Sequence, residues 1–287
     1  MHKLLGIKFL TGGKKIFLKE LEKSLKNGEQ NFAVTPNPEI MLASSKNPEL
    51  KKILEEAKWN LPDGFGIVIG GFIEENFKKI FGNGEKKLSG IKNFFYQIKK
   101  FFLFFYFFGK FFLLKIFGKK GISPIKKRIC GSDIFYDICK LAEKNNFGIY
   151  LIGGAKGVPQ KVEEKLKKLY PKIKIFGTFD GNFGNEKEIF ELEKNLQKTN
   201  PEIIFVAMGS PKQEILIKKF FTKNKKILFG IGIGGTFDFV IGKQKRAPKI
   251  MQKMGLEWLF RLYKEPKRFG RIWDATFGYL TMLYKNL

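Results

Sequence analysis

The sequence predicts an α/β protein in which helices cover both faces of a mostly parallel β-sheet. Residues 129–241 of the 287-residue chain alternate short apolar runs with amphipathic helical segments. Glycine-rich turns follow some of these runs directly, as at 153–157 and 234–235. Strands that are buried on both faces read as continuous apolar runs, so this alternation is typical of a Rossmann-like parallel sheet flanked by helices. Ligands of such sheets bind beyond the carboxyl ends of the strands.

The first part of the chain, to about residue 76, is predicted to contribute further strands and helices. In order, we expect a strand at 3–9, a helix at 15–27, a strand at 31–34 and a helix from 38 to about 58. Asn37 is the expected cap of the last helix because its side chain can accept from free amides of the first turn. Pro38 fits that first turn, where its missing N–H costs nothing.

The second part supplies the rest of the sheet. We expect strands at 148–152, 173–176, 203–207 and 226–233, with helices at 158–169, 186–198 and 212–221. The sequence therefore predicts a core at residues 1–245 and a helical C-terminal appendage at 246–287. The core is interrupted by an insertion at 77–127.

The insertion is rich in phenylalanine and lysine. No Asp or Glu occurs between residues 86 and 132, and residues 91–117 contain eleven phenylalanines. Drawn as a helix, Lys92, Lys99 and Lys110 fall within roughly 20° of one another at about 100° per residue. This pattern predicts an amphipathic helix that contacts a membrane surface. A re-entrant hairpin that turns near Gly109 and a buried helix pair or dimer contact remain alternatives, and a full span is disfavoured because the apolar run is short.

Arginine is concentrated near the C-terminus. Only five arginines are present, and four of them lie at positions 246–271. An arginine side chain can donate two hydrogen bonds to two phosphate oxygens at once, so this segment is predicted to bind a phosphate-bearing ligand. Arg261, Arg268 and Arg271 are spaced 7 and 3 apart and would share one face of a helix. A solvated helix face with scattered salt bridges is the alternative.

The composition excludes several kinds of catalytic and metal site. The formal net charge is +27, which indicates either a negatively charged partner or a bias towards Lys, Phe, Ile and Asn. Cys130 and Cys139 suggest no disulfide framework, which favours a reducing compartment. His2 is the only histidine, so Ser-His catalysis, Cys-His catalysis and histidine-ligated zinc are excluded. No Asp-x-Asp pair occurs, and we predict neither a metal site nor a cofactor.

Two polar turns in the first part could carry chemistry. Thr35 and Asn37 lie in a Thr-Pro-Asn-Pro-Glu segment directly after a predicted strand, and Asp63 lies in a Pro-Asp-Gly turn. A carboxylate in such a turn can act as a catalytic base. Pro-Asp-Gly is also one of the commonest turn sequences, so a purely structural role for Asp63 is the alternative.

Two glycine-rich constellations lie at strand ends in the second part. Gly153 and Gly154 precede a helix whose N-terminus could face a diphosphate, although a tight strand–helix turn explains them equally well. Further along, Ser210 is the expected N-cap of a helix, and Gln213 would face the ligand crevice from its first turn. At the next strand end, Asp238 could accept from the two hydroxyls of a ribose. The remaining candidate ligand-binding residues of this region are Gly234 and Gly235.

Together these segments resemble the WecG/TagA/CpsF family of bacterial glycosyltransferases. The matching blocks are T-P-N-P-E at 35–39, P-D-G at 62–64, R-I-C-G-S-D at 128–133, Y-L-I-G-G at 150–154, G-S-P-K-Q-E at 209–214, G-I-G-G-T-F-D at 232–238 and E-P-K-R-F-G-R at 265–271. The order of the blocks over some 230 residues makes the resemblance specific. The long insertion between the P-D-G and R-I-C-G blocks departs from the family pattern, as does Lys127 where a Glu is expected.

The resemblance implies an inverting, metal-independent transfer of N-acetylmannosamine or its uronic acid. The donor would be a UDP-sugar and the acceptor a polyprenyl-diphosphate-linked N-acetylglucosamine, in the synthesis of teichoic acid or another cell-surface polysaccharide. It implies that Asp63 is the general base, that Thr35 and Asn37 line the same pocket, and that Arg128 and Gln213 contact the sugar or the diphosphate. Asp238 would lie near the nucleotide, and the C-terminal arginines would close over the site and meet the membrane.

We therefore expect a cytoplasmic enzyme bound peripherally to the anionic inner face of the plasma membrane. Whether it forms homo-oligomers stays open. Within the same family, another UDP-hexose used for capsule or exopolysaccharide synthesis is an alternative. A basic nucleic-acid-binding protein is an alternative from another class, but the aromatics and the arginines occupy separate segments rather than one interleaved surface. The glycine spacing also disfavours a Rossmann-type oxidoreductase.

Overall fold

The computed structural model describes residues 1–82, 90–117, 121–180 and 185–287. Their strands form one sheet of eight. The strands are β1 (His2–Leu4), β2 (Ile7–Phe9), β3 (Asn31–Val34), β4 (Trp59–Asn60), β5 (Gly148–Gly153), β6 (Lys174–Phe179), β7 (Ile203–Ala207) and β8 (Phe229–Gly232). Their spatial order is β1-β2-β4-β3-β8-β7-β5-β6, and every neighbouring pair is parallel except the antiparallel hairpin β1–β2.

Helices connect the strands and extend to the C-terminus. In the core they are α1 (Gly13–Lys26), α2 (Pro38–Lys46), α3 (Pro48–Glu56), α4 (Phe65–Phe81), α5 (Gly90–Ile116), α6 (Gly131–Asn145), α7 (Val158–Leu169), α8 (Glu186–Thr199), α9 (Lys212–Lys223) and α10 (Thr236–Val240). The C-terminal segment holds α11 (Lys249–Met254), α12 (Glu257–Lys264), a 3-10 turn (Pro266–Arg268), α13 (Phe269–Trp273), a π-helical turn (Asp274–Gly278) and α14 (Tyr279–Lys285). The predicted α/β class with a mostly parallel sheet is confirmed.

The hydrophobic core lies on both faces of the sheet. Along β5, Tyr150 and Ile152 belong to a hydrophobic cluster that contains side chains of α4 and α9, whereas Ile149 and Leu151 belong to a second cluster that contains side chains of α1, α6 and α7. This alternation follows from the two-residue period of a strand, because successive side chains point to opposite faces. The sheet is therefore an inner layer between two layers of helices.

Two predicted elements in the first part are wrong in detail. The predicted strand at 3–9 is a hairpin, because Leu5 and Gly6 adopt positive φ angles of 50° and 87°. The predicted helix from 38 to 58 is two helices, α2 and α3. Asn47 ends the first and caps the second by accepting from the Leu50 amide at 3.0 Å. Pro48 at the start of α3 explains the break, since proline disfavours helical backbone in the residue before it.

The insertion contains one continuous helix rather than a re-entrant hairpin. α5 runs through Gly109 without a break, and the parts of the insertion at 83–89 and 118–120 lie outside the described residues. The fully buried Phe111 and the buried Phe107 pack against Phe72 of α4 at ring-centroid distances of 5.4 and 6.3 Å. Phe104 packs against Tyr284 of α14 at 5.5 Å. One side of α5 is therefore part of the hydrophobic core.

The opposite side of α5 is exposed and aromatic. The exposed apolar side chains of α5 include eight that recur at helical spacing, which we call the aromatic stripe: Phe94, Phe95, Ile98, Phe101, Phe102, Phe105, Phe112 and Leu113. The predicted arrangement of one cationic side and one apolar side is therefore incomplete, because α5 has a buried apolar side as well. Among the described residues, no helix combines the length and the apolar character needed to cross a bilayer.

Candidate active site

The candidate active site lies at the carboxyl edge of four neighbouring strands. Thr35 follows β3, Asp63 lies three residues beyond β4, Gly209 follows β7 and Gly234 follows β8. These strands are adjacent in the order β4-β3-β8-β7, so the loops meet although they are distant in sequence. The location agrees with the rule that parallel sheets bind ligands at this edge.

Asp63 is held in a fixed loop. Its backbone N–H donates to the Pro36 carbonyl at 3.0 Å, and the Pro62 carbonyl accepts from the Ile129 amide at 2.7 Å. The next residue, Gly64, has a φ of 92°, a conformation in which a side chain would be strained. The chain bends at Gly64, and Asp63 lines two neighbouring cavities.

The surroundings of Asp63 favour a basic carboxylate. Burial raises the pKa of Asp63 above its ordinary value, while a hydrogen bond from the Cys130 thiol and the charges of Arg261 and Arg128 lower it. Burial is the largest of these effects on the pKa, and it raises the pKa because the loss of water penalises the charged carboxylate. A carboxylate whose pKa is raised accepts a proton more readily than one in water.

The cavity on one side of Asp63 is polar and has a volume of about 280 Å³. Its floor is made by the loops after β7 and β8, including Gly209, Gly234 and Gly235. A Cβ atom at any of these three glycines would have no other atom within 4 Å. No side chain of these glycines separates the backbone from the cavity, so a ligand can approach the backbone closely.

Gln213 joins the two glycine loops. Its Oε1 accepts from the Gly209 amide at 3.2 Å and from the Gly234 amide at 3.0 Å, and its Nε2 donates to Glu214 at 2.8 Å. The side chain is buried, so it fixes the shape of the cavity floor. The expectation that Ser210 caps the helix is wrong: α9 begins at Lys212, after a cis Ser210–Pro211 bond, and has no side-chain cap.

Thr35 and Asn37 also lie at the polar cavity. The Thr35 hydroxyl donates to the Gly232 carbonyl at 3.3 Å, which ties β3 to β8. Asn37 accepts from the Ile40 amide at 2.9 Å, so its predicted role as the cap of α2 is confirmed. Pro38 occupies the first turn of α2, as predicted.

The cavity on the other side of Asp63 is mostly apolar and has a volume of about 360 Å³. Its apolar wall is formed by side chains from α4, α5, α13 and α14, namely Phe65, Ile69, Phe108, Phe112, Ile272 and Leu280. The two cavities share Asn37, Glu39 and Asp63 on the core side. Asp63 therefore lies at their junction.

Arginines surround this junction. Arg261, Arg268 and Arg271 line both cavities, and Arg128 lines the apolar one. The prediction that the three C-terminal arginines share one helix is wrong. They lie in α12, in the 3-10 turn and in α13, because the chain breaks at Glu265–Pro266. They converge at the site nonetheless.

Carboxylates hold these arginines in place. The Nη1 atom of Arg128 lies 3.0 Å from Oε2 of Glu257, and the Nε atom of Arg271 lies 2.8 Å from Oε1 of Glu39. Sequence reasoning missed Glu257, Glu39 and Cys130 as site residues, although all three lie inside the quoted motifs or beside the arginines. Glu257 could have been found as the only acidic residue at positions 246–264.

Three predicted residues lie away from the cavities. Gly153 ends β5 and Gly154 follows it, and neither lines either of the two cavities. A Cβ atom at Gly153 would lie 2.6 Å from the Ala207 carbonyl oxygen, so close packing of β5 on β7 requires glycine there. Asp238 lies in α10, where its nearest cation is Lys243 at 3.9 Å. Across residues 1–82, 90–117, 121–180 and 185–287, no three His, Cys, Asp or Glu side chains cluster as a metal site would require.

Comparison with known proteins agrees with this arrangement. The model of the glycosyl transferase WecG/TagA/CpsF family matches residues 2–79 and 113–287. The unmatched stretch, 80–112, covers most of α5 and lies inside the predicted insertion.

Two curated relatives match over most of their length. An N-acetylglucosaminyldiphosphoundecaprenol N-acetyl-beta-D-mannosaminyltransferase of Bacillus spizizenii is 28% identical over 271 residues, which cover 94% of this chain and 85% of the relative. A protein of the same name from Bacillus subtilis is 29% identical over 249 residues, covering 87% and 77%. The family match and the arrangement of its sequence blocks around one cleft establish that this chain belongs to the WecG/TagA/CpsF family of glycosyltransferases.

Proposed function

We propose that this enzyme transfers N-acetylmannosamine, or its uronic acid, from a UDP-sugar to N-acetylglucosamine carried on a polyprenyl diphosphate. The observation that carries the proposal is the position of Asp63 between a polar and an apolar cavity, with arginines around both. A nucleotide sugar suits the polar cavity, whose bare glycine backbone can approach a diphosphate closely. A lipid-linked acceptor suits the apolar cavity. The printed names of both relatives give an N-acetylglucosaminyl-diphosphoundecaprenol acceptor.

The proposed reaction inverts the anomeric centre in a single displacement. Asp63 takes the proton from the acceptor hydroxyl while the hydroxyl oxygen attacks the anomeric carbon. The bond from that carbon to the diphosphate oxygen breaks, and its electron pair leaves with UDP. One carboxylate base suffices for this step, and its raised pKa suits proton removal.

The departing diphosphate needs positive charge. Arg261, Arg268 and Arg271 line both cavities, and fixed cations aimed at a developing negative charge lower the barrier. Arginine forks bind phosphate oxygens two at a time, which lysine cannot do. We propose that these side chains replace a metal ion in the reaction and that no cofactor takes part. Glu257 and Glu39 form ion pairs with Arg128 and Arg271, and the substrate would compete with these carboxylates.

We further propose that the enzyme binds peripherally to the anionic inner face of the plasma membrane. Support comes from the aromatic stripe of α5 and from the absence of acidic residues in this helix. Large contiguous apolar patches on a protein surface commonly mark binding sites for proteins, ligands or membranes. Lysines beside an apolar helix face suit an interfacial position, with the stems along the lipid and the charges in the headgroup layer.

The product would serve cell-surface polysaccharide synthesis, such as the linkage unit of teichoic acid. A different UDP-hexose, used for capsule or exopolysaccharide, is the alternative within the family. Family membership does not favour nucleic-acid binding.

The test is the release of UDP from a panel of UDP-sugars in the presence of a lipid-diphosphate-GlcNAc acceptor and EDTA. We expect one UDP-HexNAc to support acceptor-dependent release. Asp63→Asn should reduce the rate at least about 100-fold because the base is lost. Asp137→Asn is the matched control, since Asp137 forms a surface ion pair with Lys14. Failure of every donor, or full activity of Asp63→Asn, would overturn the proposal.

A further inference from the structure

The helix α5 contributes to the candidate active site although most of it lies outside the family match. Residues 80–112 lie outside the match to the family model, yet Phe108 and Phe112, which lie near the end of this stretch, line the apolar cavity. The cavity of this enzyme therefore has a wall that the family pattern does not supply. A wall that lies outside the family match is a candidate for a ligand contact beyond the common family site.

The two aromatic rings are held in position by their neighbours. The Phe112 ring lies 5.1 Å from Phe108 and 6.1 Å from Phe65, which begins α4 beside Asp63. Phe65 in turn lies 5.3 Å from the fully buried Phe111. The packing of α5 on α4 thus fixes the distance between the aromatic wall and the proposed base.

The end of this cavity that meets the polar one is charged, because Asp63, Arg261, Arg268 and Arg271 line both cavities. Phe108, Phe112, Ile69 and Leu280 line the apolar cavity but not the polar one, and they form its apolar end. A ligand that fits both ends carries an anionic head next to an apolar chain. A diphosphate joined to an isoprenoid has this chemistry, while a free nucleotide or sugar would leave the apolar wall uncovered.

The apolar end is continuous with the surface of α5. Phe112 belongs to the aromatic stripe, and Phe105, Phe101 and Phe94 continue the stripe along the same side of the helix. Side chains seven or eleven positions apart lie on one face of a helix, so the stripe forms a track from the cavity to the far end of α5. An apolar chain leaving the cavity over Phe112 would remain on an apolar surface.

We propose that Phe108 and Phe112 form a subsite for the isoprene units next to the diphosphate of the acceptor, and that α5 thereby sets the preference for the lipid chain. The inference rests on the proposed function, since it assigns the lipid part of that acceptor. The charged end holds the diphosphate, the wall binds the first isoprene units, and the rest of the chain runs along the aromatic stripe.

The kinetic test measures the KM for GlcNAc-diphosphate-undecaprenol, the acceptor, in detergent. Phe108→Ala and Phe112→Ala should raise the KM for the undecaprenyl acceptor roughly tenfold, the loss expected when much of a phenylalanine contact disappears. The KM for the donor should not change. Phe190→Ala, on the exposed surface of α8, is the matched control. If either variant behaves as Phe190→Ala does with the undecaprenyl acceptor, the proposed role of that ring is wrong.

A second measurement avoids any dependence on the folding of the variants. The wild-type enzyme is irradiated with the acceptor carrying a photoreactive group on an isoprene unit near the diphosphate, and the labelled peptide is identified by mass spectrometry. We expect labelling at 104–115 that excess undecaprenyl acceptor prevents. Labelling confined to other segments would overturn the subsite. Labelling of α5 without turnover of any acceptor would support the subsite and refute the proposed transfer.

Discussion

Arg128 and Glu257 form an ion pair that closes the candidate active site. The Nη1 atom of Arg128, before α6, lies 3.0 Å from Oε2 of Glu257, the first residue of α12. The two residues are 129 positions apart in the chain. Both side chains are largely shielded from water, and Glu257 also lies within 4 Å of Arg246 and Arg261. One carboxylate therefore links the core to the C-terminal segment that carries most of the arginines.

Replacing Glu257 should loosen the C-terminal segment. Glu257→Gln keeps the shape of the side chain but removes the charge that attracts three arginines. We expect faster hydrogen exchange at 257–285 and a loss of about 1 kcal/mol of folding free energy, the usual scale for a charged hydrogen bond that is partly solvated. Glu265→Gln is the control because, among the described residues, Glu265 forms an ion pair only with the nearby Arg268. Equal exchange in both variants would contradict the linking role of Glu257.

The acid limb of the pH profile should depend on Cys130. Burial raises the pKa of Asp63, and the hydrogen bond from the Cys130 thiol lowers it in part. The base works only when deprotonated, so kcat/KM falls as the pH falls through this raised pKa. Cys130→Ala removes the stabilisation of the carboxylate and should move the acid limb of kcat/KM to higher pH. Cys139→Ala, which removes another buried thiol in α6, is the control. If the acid limb of Cys130→Ala stays in place or moves to lower pH, the proposed effect of the Cys130 thiol on Asp63 is wrong.

Gln213 should affect the donor more than the acceptor. Gln213→Leu fills a similar volume but leaves the amides of Gly209 and Gly234 without their acceptor. These two donors are partly buried, and an unsatisfied donor costs about 1–3 kcal/mol when it is buried, so we expect the KM for the UDP-sugar to rise about tenfold. The KM for the acceptor should change little in steady-state kinetics.

Gln30→Leu serves as the control for that experiment. Gln30 also makes two hydrogen bonds through its amide, to the carbonyls of Asn224 and Ile227, but at the opposite edge of the sheet. It should lower stability without changing the KM for either substrate. An increase in donor KM of the same size in both variants would show that the effect comes from general destabilisation.

The two sides of α5 should respond differently to the loss of a ring. Phe111→Ala removes a fully buried side chain and should destabilise the fold by about 3–5 kcal/mol in thermal or denaturant unfolding. Phe102 is 67% exposed, so Phe102→Ala should change stability by no more than about 0.5 kcal/mol.

Vesicle binding should depend on the exposed side of α5 rather than on its buried side. Phe102→Ala should weaken co-sedimentation with anionic vesicles several-fold, because the ring is a member of the aromatic stripe. Binding to vesicles should also weaken as salt is added, since lysine charges are screened. Unchanged binding of Phe102→Ala would argue against the stripe as a membrane surface.

The sequence by itself determined the class of the fold and most of its elements. The strands at 31–34 and 203–207 and the helix at 158–169 are found at the predicted residues, because apolar periodicity and helix caps are local signals. Local signals also explain the errors. The break at Asn47–Pro48 and the hairpin turn at Leu5–Gly6 depend on two residues each, which a long apolar pattern conceals.

The tertiary structure alone decided which of the candidate residues meet. Thr35, Asp63 and Gln213 lie at one cleft because β4, β3, β8 and β7 are neighbours in the sheet, and this order is set by the packing of distant segments. The same order leaves Gly153 and Gly154 one strand too far away, although their local sequence resembles a phosphate-binding turn. Glu257 gains its role only when the C-terminal segment folds back over the core. A sequence motif specifies the turn that presents a side chain, whereas the order of strands and the docking of helices determine what that side chain faces.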